Sequence, residues 1–243
     1  MTSKIIPNKK IMPNYNLLMY ADGTHLLYRD IIIKNLQENN IFKKYFIKGK
    51  EDLVQTNFYK KNKKILDAPR GSGYCAWKPY FILEALNEIP EDEVLFYMDS
   101  EDLIVDPQSL KVLLDEKFKT YDYLFFTGNN PQKEYTRYDC FYLMNCLEEK
   151  YFNNLQIEAG LILIKNTPFI KKFIEEWLTY CCDYQIISFH AENLYGSNDP
   201  IFKEHRDDQS ILTNLVYKYN LKTIPITDPI RMSQIFCNYY KAE

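Results

Sequence analysis

Val94-Leu95-Phe96-Tyr97-Met98-Asp99-Ser100-Glu101-Asp102 is an apolar run that ends abruptly at three acids within four positions. The run has the length of a strand buried on both faces, as in a parallel sheet. Such sheets take their ligands at the carboxyl ends of the strands. Carboxylates at that end add nothing to a core, because buried unpaired charge is costly. They suit a hard divalent cation, which prefers oxygen ligands, and such a cation commonly neutralises phosphate. A metal–diphosphate site is therefore expected, with Asp99 and Glu101 as ligands at i, i+2 spacing and Asp102 as a competitor. A solvated acidic turn would account for the three acids alone equally well.

Working outward, residues 16–20 read as a first strand, followed by a helix capped by Asp22 or Thr24 with Leu26, Leu27, Ile31 and Leu36 on one face. Residues 42–47 read as a second strand. Pro79 suits the first turn of a helix that runs to about Glu88 and is stopped by Pro90. Further strands are expected at 121–127 and 156–165. Helices are expected after Thr167-Pro168, with Phe169, Phe173, Trp177 and Cys181 in register, and after Asp207-Asp208-Gln209, with Ile211, Leu212, Leu215 and Tyr219 inward. Alternation of strands and helices predicts an α/β fold, with a mostly parallel central sheet flanked by helices. No repeat or composition break divides the chain, so one domain spanning 1–243 is expected.

The 243 residues are 46% hydrophobic, enough for a sizeable core. A net charge of −3 argues against a nucleic-acid or membrane-surface protein as a class. Six scattered cysteines without a CxxC pair point to free thiols in a reducing compartment. No apolar run approaches the ~20 residues that cross a bilayer, and residues 1–13 lack a signal-peptide core, so a soluble cytoplasmic protein without a transmembrane segment is expected.

Two other segments carry chemistry. In Arg70-Gly71-Ser72-Gly73-Tyr74-Cys75-Ala76-Trp77-Lys78-Pro79-Tyr80, small residues let backbone approach a phosphate, Arg70 and Lys78 bring positive charge, and Trp77, Tyr74 and Tyr80 offer faces for a base or sugar. An ordinary turn into a core helix is the plainer reading. In Glu204-His205-Arg206-Asp207-Asp208-Gln209-Ser210, a helix cap explains Asp207, yet the segment holds more polar groups than a cap needs. Asp208 would orient or deprotonate an acceptor hydroxyl, with Glu158 in reserve. His205 would complete a metal shell or bind phosphate.

The motifs Arg70-Gly71-x-Gly73-Tyr74-x-x-Trp77-Lys78-Pro79-Tyr80, Leu95-Phe96-Tyr97-Met98-Asp99 and Glu204-His205-Arg206-x-Asp208-Gln209-Ser210, in this order, resemble a family of GT-A-type sugar-nucleotide glycosyltransferases found in bacteria and large DNA viruses. The likeness implies a Rossmann-like GT-A fold, a nucleoside-diphosphate sugar donor with uridine the first base to test, and a divalent metal, commonly Mn²⁺, with Mg²⁺ as the alternative. It implies that Tyr20-Ala21-Asp22 meets the base and ribose, that Tyr97 and Asp99 adjoin the donor, and that Asp99 and Glu101 hold the metal. Asp208-Gln209 would lie beside the anomeric carbon. Ser100-Glu101-Asp102 departs from the usual spacing of the second acid. The partners implied are a nucleotide-sugar donor and a hydroxyl acceptor on a glycan, lipid-linked saccharide or protein. A sugar nucleotidyltransferase and a non-catalytic carbohydrate-binding module are the competing classes.

Overall fold

Apolar side chains alternate along each central strand, and both resulting faces are covered. In β3 (Val94–Met98), Leu95 and Tyr97 join one hydrophobic cluster while Val94, Phe96 and Met98 join the other. The same division holds in β1 (Tyr15–Tyr20), where Leu18 and Tyr20 oppose Leu17 and Met19. Two-sided burial explains why these strands read as uninterrupted apolar runs. The computed structural model describes residues 14–100, 102–104, 106–232 and 234–235. The expected ligand Glu101 and the sixth cysteine, Cys237, lie outside the described residues. The other five cysteines are free.

The sheet also contains β2 (Lys44–Lys48), β5 (Tyr123–Pro131), β6 (Leu155–Lys165) and β7 (Ile224–Pro225), in the order β2-β1-β3-β6-β5-β7. A separate antiparallel pair joins β4 (Leu103–Ile104) to β8 (Gln234–Ile235). Helices α1 (His25–Asn39) and α3 (Pro107–Lys117) supply Ile32, Leu36, Leu110 and Leu114 to one face. Helices α2 (Trp77–Glu88), α4 (Pro168–Cys181) and α5 (Asp207–Lys218) cover the other. The expected mostly parallel α/β sheet is present: β1 pairs in parallel with β2 and β3, and β5 with β7.

Strand β6 departs from a purely parallel arrangement, running antiparallel to both β3 and β5. Its first half therefore lies against the carboxyl end of β3, where the Asp99 N–H donates to the Gly160 carbonyl at 2.9 Å. A register shift within β6 accompanies this approach, as bulges commonly do beside active sites. Two helix faces also differ from expectation. Leu27 and Ile31 are exposed, so α1 packs through Ile32 and Leu36, one position round the helix. Phe169 is exposed as well, and α4 buries Ile170, Phe173, Ile174, Trp177 and Cys181. Thr24 stands at the α1 N-cap position without a side-chain capping bond.

Candidate active site

Strand β1 has β2 on one side and β3 on the other, so the chain leaves β1 in one direction and later returns past it. The crevice between the carboxyl ends of β1 and β3 is a topological switch point, where open α/β sheets bind ligands. A cleft opens there, about 540 Å³ counting its solvent-open mouth. Tyr20, Ala21, Asp22 and His25 line it from the β1 end, Gly71, Ser72, Cys75 and Trp77 from the following loop, and Asp99 and Ser100 from the β3 tip. Of the residues expected to meet the donor, Tyr20, Ala21, Asp22, Trp77 and Asp99 are thus brought together.

The loop wall is a strained device. Gly71, Ser72, Gly73, Tyr74 and Cys75 all have positive φ (56°, 50°, 105°, 55° and 57°), which makes a left-handed turn. That hand costs an L-residue about 1–2 kcal/mol, and such strain gathers at functional sites. The turn is closed by Tyr74 N–H donating to the Arg70 carbonyl at 2.7 Å and Cys75 N–H to the Gly71 carbonyl at 3.0 Å. The Trp77 indole N–H also donates to Gly71 O, at 3.0 Å. One face of the Trp77 ring stacks on Tyr20, with centroids 3.8 Å apart.

Lys78 is the hub beneath the cleft. Only 4% exposed, its ammonium lies 3.0 Å from Asp208 Oδ2 and 3.8 Å from Asp99 Oδ1, and donates to the Ala159 carbonyl at 3.0 Å. Burial alone would lower the Lys78 pKa, but Asp208 and Asp99 outweigh it and raise it, so the group stays charged. Burial pushes Asp208 up to about 6 against the pull of Lys78. The Tyr97 hydroxyl donates to Asp99 Oδ1. Tyr97 is itself buried, so it aims the carboxylate rather than lining the cleft. Lys78, expected at the phosphate, instead bridges two carboxylates.

Arg70 also differs from expectation. Its guanidinium donates to Asp207 Oδ2 at 2.7 Å and to the His205 carbonyl at 3.0 Å, and sits 4.7 Å over the Phe189 ring. It ties the cleft loop to the start of α5 instead of reaching for a phosphate. Asp207 carries a positive φ of 43° there, and burial raises its pKa to about 7 despite Arg70. His205 is fully buried: Nδ1 accepts from Arg137 N–H at 3.2 Å, and Nε2 lies 3.0 Å from the Ile186 carbonyl. Both ring nitrogens are engaged with backbone, which leaves no lone pair for a cation, and the expectation of a His205 ligand is not kept.

Glu158 and Gln209 stand together, but in a second depression of about 590 Å³ lined also by Asn129, Asn130, Gln156 and Arg206. Gln209 Nε2 donates to Gln156 Oε1 at 2.8 Å. Asp208 is only 5% exposed, its carbonyl accepting from the Trp177 indole at 3.1 Å. His25, Cys75 and the Lys78 bridge were missed by sequence reasoning. The glycines flanking Ser72 were the one sequence signal for the loop wall.

A cleft at the switch point, walled by a strained small-residue loop and tipped with carboxylate, is where an open α/β sheet takes a ligand. The chain belongs to the galactosyl transferase GMA12/MNN10 family, whose model matches residues 31–240. It is a glycosyltransferase, and that membership implies a nucleotide-sugar donor and an acceptor. Among solved structures the chain is similar to mouse xyloside xylosyltransferase 1 in its apo form, at 12% identity and a TM-score of 0.47 over 88% of this chain and 86% of that one. It is also similar to a glycosyltransferase involved in the glycosylation of the major capsid of PBCV-1, at 10% identity and a TM-score of 0.38 over 69% and 66%. No curated protein matches the chain. Among the described residues, no helix is long and apolar enough to cross a membrane.

Proposed function

We propose that the cleft binds a uridine diphosphate sugar together with a divalent cation, Mn²⁺ or Mg²⁺, and that the sugar passes to a hydroxyl presented from the second depression. The observation that carries this reading is the charge of the cleft. Asp22 and Asp99 line it, and among the described residues no lysine or arginine does. Lys78 balances one of Asp99 and Asp208, which leaves a negative excess. A bare diphosphate would be repelled, whereas a diphosphate carrying a divalent cation is accepted.

The donor set fits a hard cation. Asp99 has a side chain 39% exposed and supplies carboxylate oxygen at the cleft. Among the described residues no group of three His, Cys, Asp or Glu side chains forms a metal cluster. Asp99 would hold the ion with Glu101, which lies outside those residues, and with the donor's own phosphate oxygens. When bound, such an ion stabilises the charge that develops on the leaving diphosphate. The chain's own groups supply position. Tyr97 and Lys78 aim Asp99, Gly71 and Ser72 bring backbone close to the donor, and Tyr20 with Trp77 walls the nucleoside side.

Glu158 and Gln209 are placed to meet the acceptor. Glu158 is two residues from Gly160, whose carbonyl holds the Asp99 N–H, so at most about 7 Å of chain separates Glu158 from that contact. Glu158 orients the acceptor hydroxyl and takes its proton, with Gln209 beside it. Asp208, buried against Lys78, is a positioning group. Incubation with a panel of nucleotide sugars and saccharide acceptors tests the reading through its by-product. Release of nucleoside diphosphate is expected, and release of pyrophosphate would instead mark nucleotidyl transfer.

A further inference from the structure

We infer that the face formed by residues 132–153 and the 188–200 loop is a second carbohydrate site, which binds a neutral oligosaccharide away from the reacting centre. An open recess lies there, about 860 Å³ counting its solvent-open mouth, lined by Tyr138 and Phe152 together with Ser197, Asn198, Asp199 and Asn153. Aromatic faces beside amide and hydroxyl groups match a pyranose, which has an apolar C–H face and a rim of hydroxyls. Tyr142 and Tyr195, 40% and 47% exposed, extend the aromatic surface as a parallel stack with centroids 4.5 Å apart.

The loop that builds this wall has little regular structure, yet it is firmly held. Buried Arg137 donates to the carbonyls of Gln185, Ser188 and Glu192 at 3.2, 2.8 and 3.0 Å, and to Asn193 Oδ1 at 3.1 Å. Buried Asp139 accepts from Leu194 N–H at 2.7 Å and Tyr195 N–H at 3.2 Å. Gly196 packs directly on the Tyr138 ring, where a Cβ would come within 2.3 Å of Cε1. Two buried charged groups thus fix the shape of an exposed aromatic loop, which is preorganisation of a surface rather than packing of a core.

Charge decides the ligand class. One cation, Lys133, and two acids, Glu149 and Asp199, line the recess, and the Lys133 ammonium donates to Asn153 Oδ1 at 3.0 Å. An anionic ligand such as a nucleotide or an acidic sugar finds no free attraction there, and a neutral glycan is not penalised. The second depression is close: Asn130 lines that recess and Lys133 this one, so three residues, about 11 Å of extended chain at most, separate the two walls. The remote part of an acceptor glycan can therefore rest here while its reacting hydroxyl lies near Glu158. Only that purpose rests on the transferase reading; the binding itself does not.

The test is calorimetric titration of the full chain, without nucleotide, with tetrasaccharides of β-1,4-glucose, β-1,4-xylose, α-1,4-galactose and α-1,6-mannose. Binding of at least one is expected, weakened ten-fold or more by Tyr138→Ala and by Ser197→Trp, which obstructs the cavity from an exposed position. Thermal melting confirms that Ser197→Trp is folded. Asp99→Ala should leave the oligosaccharide affinity unchanged. The inference is overturned if none of the four binds, or if the bound one is retained by folded Ser197→Trp. A failure of the donor reading appears separately, as absence of nucleotide binding.

Discussion

Lys78 shows how one buried cation can tie a site together, meeting both Asp99 and Asp208. Replaced by methionine, it would leave the buried Asp208 carboxylate without its cation and facing Asp99. Breaking such a buried pair costs about 3–5 kcal/mol, so Lys78→Met should lower the urea midpoint markedly and abolish measurable transfer. A variant that kept wild-type stability would show that the bridge is idle. His205 gives a pH-dependent case. Burial holds its folded pKa down to about 3, against about 6.5 in an unfolded chain. The unfolded state then binds the proton first, so stability is full above pH 6.5 and falls as the pH drops toward 3. Asp207 and Asp208, raised to about 7 and about 6, act in the opposite sense, losing stability as pH rises through those values. Comparing urea midpoints of wild type and His205→Gln from pH 7 to 4 isolates the histidine: the variant's midpoint should fall less on acidification. The acid tip and the polar 204–210 segment were visible in sequence because charge stops an apolar run. Which acid Lys78 meets was not visible, since that pairing joins positions 78, 99 and 208 through tertiary packing.

Among the elements, the left-handed turn at 71–75 and the bulged strand β6 do most to shape the cleft. Ser72 takes φ 50° without needing its side chain for the turn. Ser72→Gly should therefore raise stability by about 1 kcal/mol, read as a higher melting temperature. Gly73→Ala should do the reverse: at φ 105° its Cβ would lie 2.7 Å from Leu66 Cα, a backbone atom that cannot yield cheaply. Gly160→Ala tests the contact between β6 and the acid tip, because its Cβ would come within 2.8 Å of Asp99 Oδ2. The expected outcome is a folded protein with nucleotide affinity reduced ten-fold or more, checked by calorimetry. The strands were legible in sequence because two-sided burial writes itself as an apolar run. The direction of β6 was not, as apolar periodicity is the same for parallel and antiparallel pairing. The exposed Leu27, Ile31 and Phe169 show a similar limit: helical spacing names a stripe, and packing selects its rotation.

At the scale of the molecule, sheet order places the ends of β1 and β3 at a switch point, and everything proposed about the donor follows from that placement. Long-range pairing brings Arg70 to Asp207 and Lys78 to Asp208, so the loop before α2 and the start of α5 are tied into one wall. The central claim is that the acid-tipped cleft takes a nucleoside diphosphate only with a divalent cation. Calorimetric titration of UDP into wild type and Asp99→Ala, each with Mn²⁺ and with the ion chelated, tests it most directly. Binding should appear in wild type with Mn²⁺ and vanish both on chelation and in the variant. Equal binding in all four titrations, or none in any of them, would contradict it.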